Sequence, residues 1–179
     1  HYHVQKILLT KLSYPSATYR AFLQEINEQH IPMEVVSSTT QFAVGDLYFS
    51  VLWPQVSWEN RVAKDDAHAG MGGVNDTSIV MRLTAASTSL FLTGDVSSAV
   101  EQQLLAQHLV ASSTVLKVGH HGSKYSTDRK FLQALGAEDV VVQCAQKNDY
   151  GHPHVQTVRR LAEAHTKIFR NDMDGDVTL

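Results

Sequence analysis

The sequence contains one cysteine and little net charge, and these shortages exclude several classes of protein. Cys144 lies in the apolar run DVVVQCA, so no internal disulfide can form and the residue is expected to pack in the core. No apolar run approaches the roughly 18 residues that span a bilayer, and no signal peptide is visible. We therefore expect no membrane contact from this sequence itself.

The formal net charge of −3 argues against a global electrostatic hold on nucleic acid. A polyanion would have to be bound locally, by a metal or by a small basic cluster. No internal repeat and no low-complexity segment is present, and a hydrophobic content of 43% over 179 residues is typical of one domain with a sizeable core.

The spacing of the apolar residues predicts a layered α/β domain over residues 1–179. VQKILLT and MEVVS are typical of strands, SATYRAFLQEINEQH of an amphipathic helix, and TSIVMRLTA with TSLFLTGD of a hairpin. Helices and strands then alternate, which favours helices covering a sheet. The terminal GDVTL has the pattern of one more strand, and the segment from Gln55 to Gly73 is predicted to be a long loop over a cleft.

Polar side chains gather where three predicted strands end. FLTGD ends in Asp95, LKVGHHGS carries His120, His121 and Ser123, and NDYGHPH carries His152 and His154. If these strands are neighbours, the loops converge at one edge of the sheet. A carboxylate with imidazoles is a ligand set of zinc, manganese or iron sites that activate water.

Each of these residues also has a purely structural interpretation. Asp95 could cap the helix that begins near Ser97, and His152 and His154 flank a proline that suits the first turn of a helix. Ser123 could instead be the nucleophile of a Ser-His-Asp hydrolase, but the sequence has no G-x-S-x-G turn. Clustering favours the metal hypothesis, because four of the ten histidines lie in two short loops.

NDTSIVMRL, LFLTGD, LKVGHHGS, NDYGHPH and RNDMDGDVTL, in this order, resemble the metallo-β-lactamase-type domain of the ComEC competence-protein family. The resemblance implies an α/β fold, an αββα sandwich with a metal site in its cleft, and a metal-dependent nuclease that acts on DNA, single-stranded DNA above all, during competence-related uptake. It also implies two divalent metal ions, zinc or manganese. The domain would belong to a polytopic bacterial membrane protein and lie on the outer side of the cytoplasmic membrane.

The resemblance also suggests roles for individual residues. Asp95 matches a metal-bridging aspartate, and one histidine of the adjacent pair matches a metal ligand. We favour His120 as the ligand, which leaves His121 and His152 as catalytic candidates. The candidates for substrate contact are Asn75, Ser78, Ser123, Lys124 and His154.

The sequence departs from the family in lacking H-x-H-x-D-H, the main ligand motif of this fold. We therefore expect an N-terminally truncated domain that binds metal weakly or not at all and hydrolyses poorly. Two alternatives remain open. One is a non-catalytic module of the same fold that binds DNA or a partner, and the other is a hydrolase of small phosphoesters.

Overall fold

A computed structural model describes residues 3–11, 16–55 and 73–178. The predicted long loop lies almost entirely outside the described residues, as do His1 and His68. The strands are β1 Ile7–Leu9, β2 Met33–Val35, β3 Gln41–Val44, β4 Leu47–Trp53, β5 Val80–Ala85, β6 Thr88–Leu92, β7 Val115–Lys117, β8 Asp139–Val142 and β9 Lys167–Arg170. The α-helices are α1 Ala17–Glu28, α2 Ser98–Ala106, α3 Arg129–Leu135, α4 Val155–Glu163 and α5 Asn171–Asp174, with 3-10 turns at Gly73–Thr77 and Gly119–Gly122.

The strands form two sheets of unequal size. Strands β1 and β2 pair in parallel as a small sheet, and the other seven form a sheet in the order β3-β4-β5-β6-β7-β8-β9. Pairing is antiparallel from β3 to β6 and parallel from β6 to β9. Because parallel neighbours run in the same direction, the loops that follow β6, β7 and β8 leave the sheet at one edge.

The main core lies between the seven-stranded sheet and helices α2, α3 and α4. Phe91 of β6 meets Phe131 of α3 edge to face, with ring centroids 5.6 Å apart, and both are fully buried. Val100 of α2 and Leu161 of α4 belong to the same buried cluster. Burying side chains of this size contributes about 1.5–3 kcal/mol each, which holds the helices on the sheet and fixes the loops at its edge.

The predicted alternation of helices and strands is confirmed, and so is the predicted first helix, whose N-cap Ser16 accepts a hydrogen bond from the Tyr19 amide. The prediction of a strand at GDVTL is wrong for residues 175–178, which pair with no strand. Asn171 and Gly175 close a turn there, because the Gly175 amide donates to the Asn171 carbonyl and Asn171 Nδ2 donates back to the Gly175 carbonyl.

Cys144 is partly buried and packs against the main core, as the sequence predicts. Burial raises the pKa of its thiol to about 11, so the thiol stays protonated at neutral pH. Within the described ranges, no helix combines the length and the apolar character that crossing a membrane requires.

Candidate metal centre

The ends of three neighbouring parallel strands bring the polar residues together. Asp95 follows β6, His120 and His121 follow β7, and Gln143 follows β8. The register pairs Leu92 with Lys117 and Lys117 with Val141, so the three strands end at nearly the same level. The predicted convergence of these loops is therefore confirmed.

The two histidines after β7 adopt an unusual backbone conformation. His120 has φ 46° and ψ 48°, and His121 has φ 55° and ψ 23°, so two consecutive non-glycine residues are left-handed. Such a conformation costs about 1–2 kcal/mol per residue. Strain of this kind persists where the surrounding structure holds it, and it is concentrated at functional sites.

Glycines next to the histidines and next to Asp95 allow the close packing. Gly122 has φ +83°, and a Cβ there would lie 2.6 Å from Pro153 Cβ. Gly94, just before Asp95, has φ +56°, and a Cβ there would lie 2.6 Å from Ser78 Cβ. The glycines of LTGD and HHGS are thus required by geometry, since any side chain would push the loops apart.

Asp95 and His121 face each other across the ends of β6 and β7. His121 Nε2 lies 3.5 Å from Asp95 Oδ2, and the two side chains are 44% and 34% exposed. This distance is too long for a strong hydrogen bond. Two nitrogen and oxygen ligands of one tetrahedral zinc lie about 3.3 Å apart, so the pair fits two positions around a metal ion.

The third strand end determines which His121 nitrogen is available. His121 Nδ1 lies 2.6 Å from the Gln143 carbonyl oxygen. Because a carbonyl only accepts hydrogen bonds, Nδ1 carries a proton, and Nε2 is the ring nitrogen that faces Asp95 and is left for a metal ion. Metal-binding histidines are commonly oriented by such a hydrogen bond to a backbone carbonyl.

His120 is held differently. Asn75 Nδ2 lies 3.3 Å from His120 Nε2 and donates to it, so the lone pair of that nitrogen points at an amide rather than at Asp95. This arrangement favours His121 over His120 as the partner of Asp95 in metal binding. The assignment of the metal ligand to His120 stays a prediction, although the geometry favours His121.

His152 lies on the outer side of His120, with ring centroids 5.5 Å apart. Burial lowers the pKa of His152, and the nearby rings of His120, His121 and His154 lower it further, while Asp95 acts in the opposite direction. His152 is therefore neutral at pH 7 and able to accept a proton. Its proposed catalytic role stays a prediction.

The structural interpretation of Asp95 as a helix cap does not hold. Ser97 is the N-cap of α2, and its Oγ accepts a hydrogen bond from the Ala99 amide. Ser97 is held in turn by Asp76, a fully buried carboxylate that accepts from the Ser97 amide at 2.7 Å and from its hydroxyl at 3.0 Å. The Asp95 amide donates to Ser78 Oγ, which leaves the Asp95 carboxylate facing His121.

Buried Glu101 and partly buried Arg160 brace the segment that follows the two histidines, and sequence reasoning missed both. Glu101 of α2 accepts hydrogen bonds from the amides of Thr127 and Asp128 at 2.6 and 2.8 Å. Arg160 of α4 donates to the carbonyls of Lys124, Ser126 and Thr127. Burial raises the pKa of Glu101 to about 7, although its two amide donors act to lower it. No motif marks either residue, since each binds backbone groups that lie 26 or more positions away in the sequence.

The predicted substrate contacts fall into two groups. Asn75, Ser78 and exposed Lys124 lie near the strand ends, whereas Ser123 is 4% exposed and its Oγ accepts from the Tyr125 amide. That burial disfavours Ser123 both as a nucleophile and as a contact. His154 caps α4 through Nδ1, which accepts from the Gln156 amide.

Lys117, the last residue of β7, is turned inward. Its Nζ donates to the carbonyls of Gly94 and Val118, at 3.3 and 3.2 Å. Burial lowers its pKa, and the carboxylate of Asp95 partly opposes that effect. Its ammonium group therefore supports the Asp95 turn from inside.

Asp95 and His121 would supply two metal ligands, and a stable site needs more. Among the described residues, no group of three or more His, Cys, Asp or Glu side chains is placed to hold a metal ion. The residues present therefore fit part of a zinc or manganese site, with a carboxylate oxygen and an oriented imidazole as donors.

Comparison with known proteins relates this chain to competence proteins. The chain is 29% identical over 177 residues to ComE operon protein 3 of Bacillus subtilis, across 99% of this chain and 21% of that protein. It is 35% identical over 103 residues to competence protein ComA of Neisseria gonorrhoeae, across 56% of this chain and 15% of that protein. The chain is thus similar in sequence to ComEC-type competence proteins over part of their length.

The ComEC resemblance predicted from five motifs is thus confirmed, and the chain spans about a fifth or less of the length of these relatives. A scan against protein-family models finds no match. Among solved structures, the metallo-β-lactamase fold protein YhfI from Bacillus subtilis superimposes with a TM-score of 0.50 at 12% identity, covering 92% of this chain and 61% of that one. The predicted metallo-β-lactamase fold is confirmed.

Proposed function

We propose that this chain forms a metallo-β-lactamase-like domain over residues 1–179 and contributes Asp95 and His121 to a metal-dependent phosphodiesterase site that acts on DNA during uptake. The observation that supports this most directly is the Asp95 to His121 pair, in which Gln143 orients the imidazole and the carboxylate lies 3.5 Å away. We infer the competence role from the names of the relatives, and DNA is the polyanion that such a role requires.

The bound metal would be zinc or manganese, with two ions in a complete site. Such ions supply a hydroxide nucleophile near neutral pH and stabilise charge on a phosphodiester. The remaining ligands would come from residues that precede this sequence in the whole protein, as the family resemblance implies. We expect this chain alone to bind metal weakly, because two donors are too few for tight binding.

The chain's own residues would position the substrate and manage protons. Asn75 holds the His120 ring, and neutral His152 lies beside it, where it would accept a proton from the attacking water and pass it to the leaving oxygen. Exposed Lys124 would contact a phosphate. In the whole protein this domain would lie on the outer side of the cytoplasmic membrane of a bacterium.

A non-catalytic binding module is the second candidate. It is favoured by the lack of a three-ligand group among the described side chains and by the lack of H-x-H-x-D-H in the sequence. A module of this kind would bind DNA without metal and without cleavage.

Metal-dependent cleavage distinguishes the two candidates. Labelled single-stranded DNA and the small diester bis(p-nitrophenyl) phosphate are incubated with manganese, zinc or a chelator. This chain is compared with a longer piece of the same protein that extends upstream, each with Asp95→Ala and with Asp46→Ala, an exposed turn residue, as the matched control.

We expect cleavage in the longer protein that the chelator and Asp95→Ala abolish and that Asp46→Ala preserves. If only the small diester is cleaved, the hydrolase remains and DNA is excluded as its substrate. If the longer protein binds metal and cleaves neither substrate, the phosphodiesterase proposal fails and the binding module replaces it.

A further inference from the structure

A continuous series of aromatic rings leads from the metal-ligand candidates to solvent. The rings of His121 and His120 meet nearly edge to face, with centroids 6.4 Å apart at 71°. His120 meets His152 in the same way at 5.5 Å and 76°. The last contact differs, because Tyr150 and His152 are nearly parallel, with centroids 5.9 Å apart at 25°.

Tyr150 is among the most exposed large side chains of the described chain, yet its backbone is fixed. The residue is 83% exposed, so the ring face turned away from His152 is open to solvent. Asn148 Oδ1 accepts from the amides of Tyr150 and His152 at 3.2 and 3.0 Å. Asn148 Nδ2 donates to the carbonyls of Ala145 and His152 at 3.0 and 2.7 Å.

This arrangement contributes little to folding. A ring that stays 83% exposed buries almost no apolar area, while the loop beneath it is ordered by four hydrogen bonds through one asparagine. A rigid, exposed aromatic ring loses little conformational entropy when a flat partner stacks on it. The geometry is therefore suited to a planar ligand.

Charge near Tyr150 does not favour an ionic contact. Exposed Lys147 and Asp149 flank the tyrosine with opposite signs, and their formal charges cancel. Positive charge lies on the neighbouring loop, where Lys124 Nζ sits 4.9 Å from the ring centre of Tyr125, itself 67% exposed. The two loops are joined, since the His154 amide donates to the Gly122 carbonyl at 2.8 Å.

We propose that Tyr150 stacks on an unpaired base of a single-stranded nucleic acid whose phosphate lies at the Asp95 to His121 pair. The inference rests on the proposed function and names the substrate form that the site selects. Bases in a duplex are already stacked on their neighbours, so a flat exposed ring favours single strands. Base stacking on an aromatic side chain tolerates any sequence.

Binding is measured separately from cleavage. A fluorescent, cleavage-resistant phosphorothioate single strand is titrated with this chain by anisotropy, once with zinc and once with a chelator. The variants are Tyr150→Ala, which removes the ring, and Tyr150→Phe, which keeps it. Tyr48→Ala is the matched control, because Tyr48 is 64% exposed and pairs with Thr84, at the opposite end of the sheet from the site.

We expect Tyr150→Ala to weaken single-strand binding about tenfold, the loss of one base-stacking contact. Tyr150→Phe and Tyr48→Ala keep the wild-type affinity. Duplex binding is unchanged in all variants, and the salt dependence of single-strand binding keeps its slope because no charge is removed.

The inference is overturned if Tyr150→Ala binds the single strand as tightly as wild type, or if it loses equal affinity for an abasic strand. It is also overturned if the wild-type chain binds no single strand under either condition. These outcomes are independent of hydrolysis. A stacking effect in this chain, together with no cleavage by the longer protein, would retain Tyr150 as a base contact and reject the phosphodiesterase. Normal DNA cleavage by Tyr150→Ala in the longer protein, with unchanged affinity, would do the reverse.

Discussion

His121 Nε2 lies 3.5 Å from Asp95 Oδ2, although 26 positions separate the two residues in the sequence. The parallel pairing of β6 with β7 brings them together, and the Gln143 carbonyl at the end of β8 orients the imidazole. His120, one position earlier, is turned to Asn75 instead. This difference between adjacent histidines gives the first prediction.

Removing His121 should weaken zinc binding more than removing His120. We expect His121→Ala to reduce zinc affinity at least tenfold, the scale on which even supporting partners of a metal ligand act, and Asp95→Asn to do the same. His120→Ala, the matched control, should keep most of the affinity. Calorimetric titration with zinc measures all three variants. An equal loss in His120→Ala would contradict the preference for His121, and a larger loss would return the ligand assignment to His120.

Gly122 should tolerate a side chain much less than Gly151, although both have positive φ. Gly122→Ala places a Cβ 2.6 Å from Pro153 Cβ, whereas nothing lies within 4 Å of a Cβ at Gly151. We expect Gly122→Ala to lower the free energy of unfolding by about 2–4 kcal/mol and Gly151→Ala by about 1 kcal/mol. Urea unfolding measures both, and equal losses would show that backbone strain alone matters.

Asp76 should matter for stability although it takes no part in the proposed chemistry. Asp76→Asn replaces one acceptor oxygen with an amide nitrogen facing the Ser97 amide or hydroxyl. An unsatisfied buried group costs about 1–3 kcal/mol, and we expect that loss in thermal unfolding. Asp46→Asn on the exposed turn after β3 is the control. A loss of stability of the same size in Asp46→Asn would contradict the prediction that the buried contacts of Asp76 matter.

Glu101 should make the stability of the fold depend on pH. Its pKa is raised in the folded chain to about 7 from an ordinary 4.5, chiefly by burial. The folded state therefore holds a proton that the unfolded state has released, and this contribution is fully present below pH 4.5 and lost as pH rises through 7. Unfolding free energies of wild type and Glu101→Gln, measured from pH 4 to 8, should diverge over this range, with wild type losing stability relative to the variant. Parallel profiles would contradict the prediction.

Much of the layered architecture could be predicted from local patterns. Strands β5 and β6 have strong apolar patterning, and Ser16 is recognisable as an N-cap. The convergence of Asp95 and the histidines also followed, because strands that alternate with helices pair in parallel and end at one edge. The strand prediction at the terminal GDVTL was wrong because its composition is typical of a strand, whereas Asn171 and Gly175 close a turn there.

The choice between the two histidines depended on information that the sequence does not contain. Order along the chain favoured His120, but which ring faces Asp95 is decided by the left-handed backbone at both positions and by the Gln143 carbonyl of another strand. Burial of Ser123 and the braces from Glu101 and Arg160 likewise arise from packing between α2, α4 and the loop. Such contacts join distant parts of the chain and leave no local motif.

The left-handed backbone at His120 and His121 has a consequence for the laboratory evolution of this domain. Glycine adopts that conformation freely, so replacing either histidine with glycine removes strain of about 1–2 kcal/mol per position. A screen that selects for heat resistance or expression alone would therefore enrich glycine at positions 120 and 121. The most stable variants from such a screen would lack one or both histidine side chains. Stability and activity must therefore be selected together at these two positions.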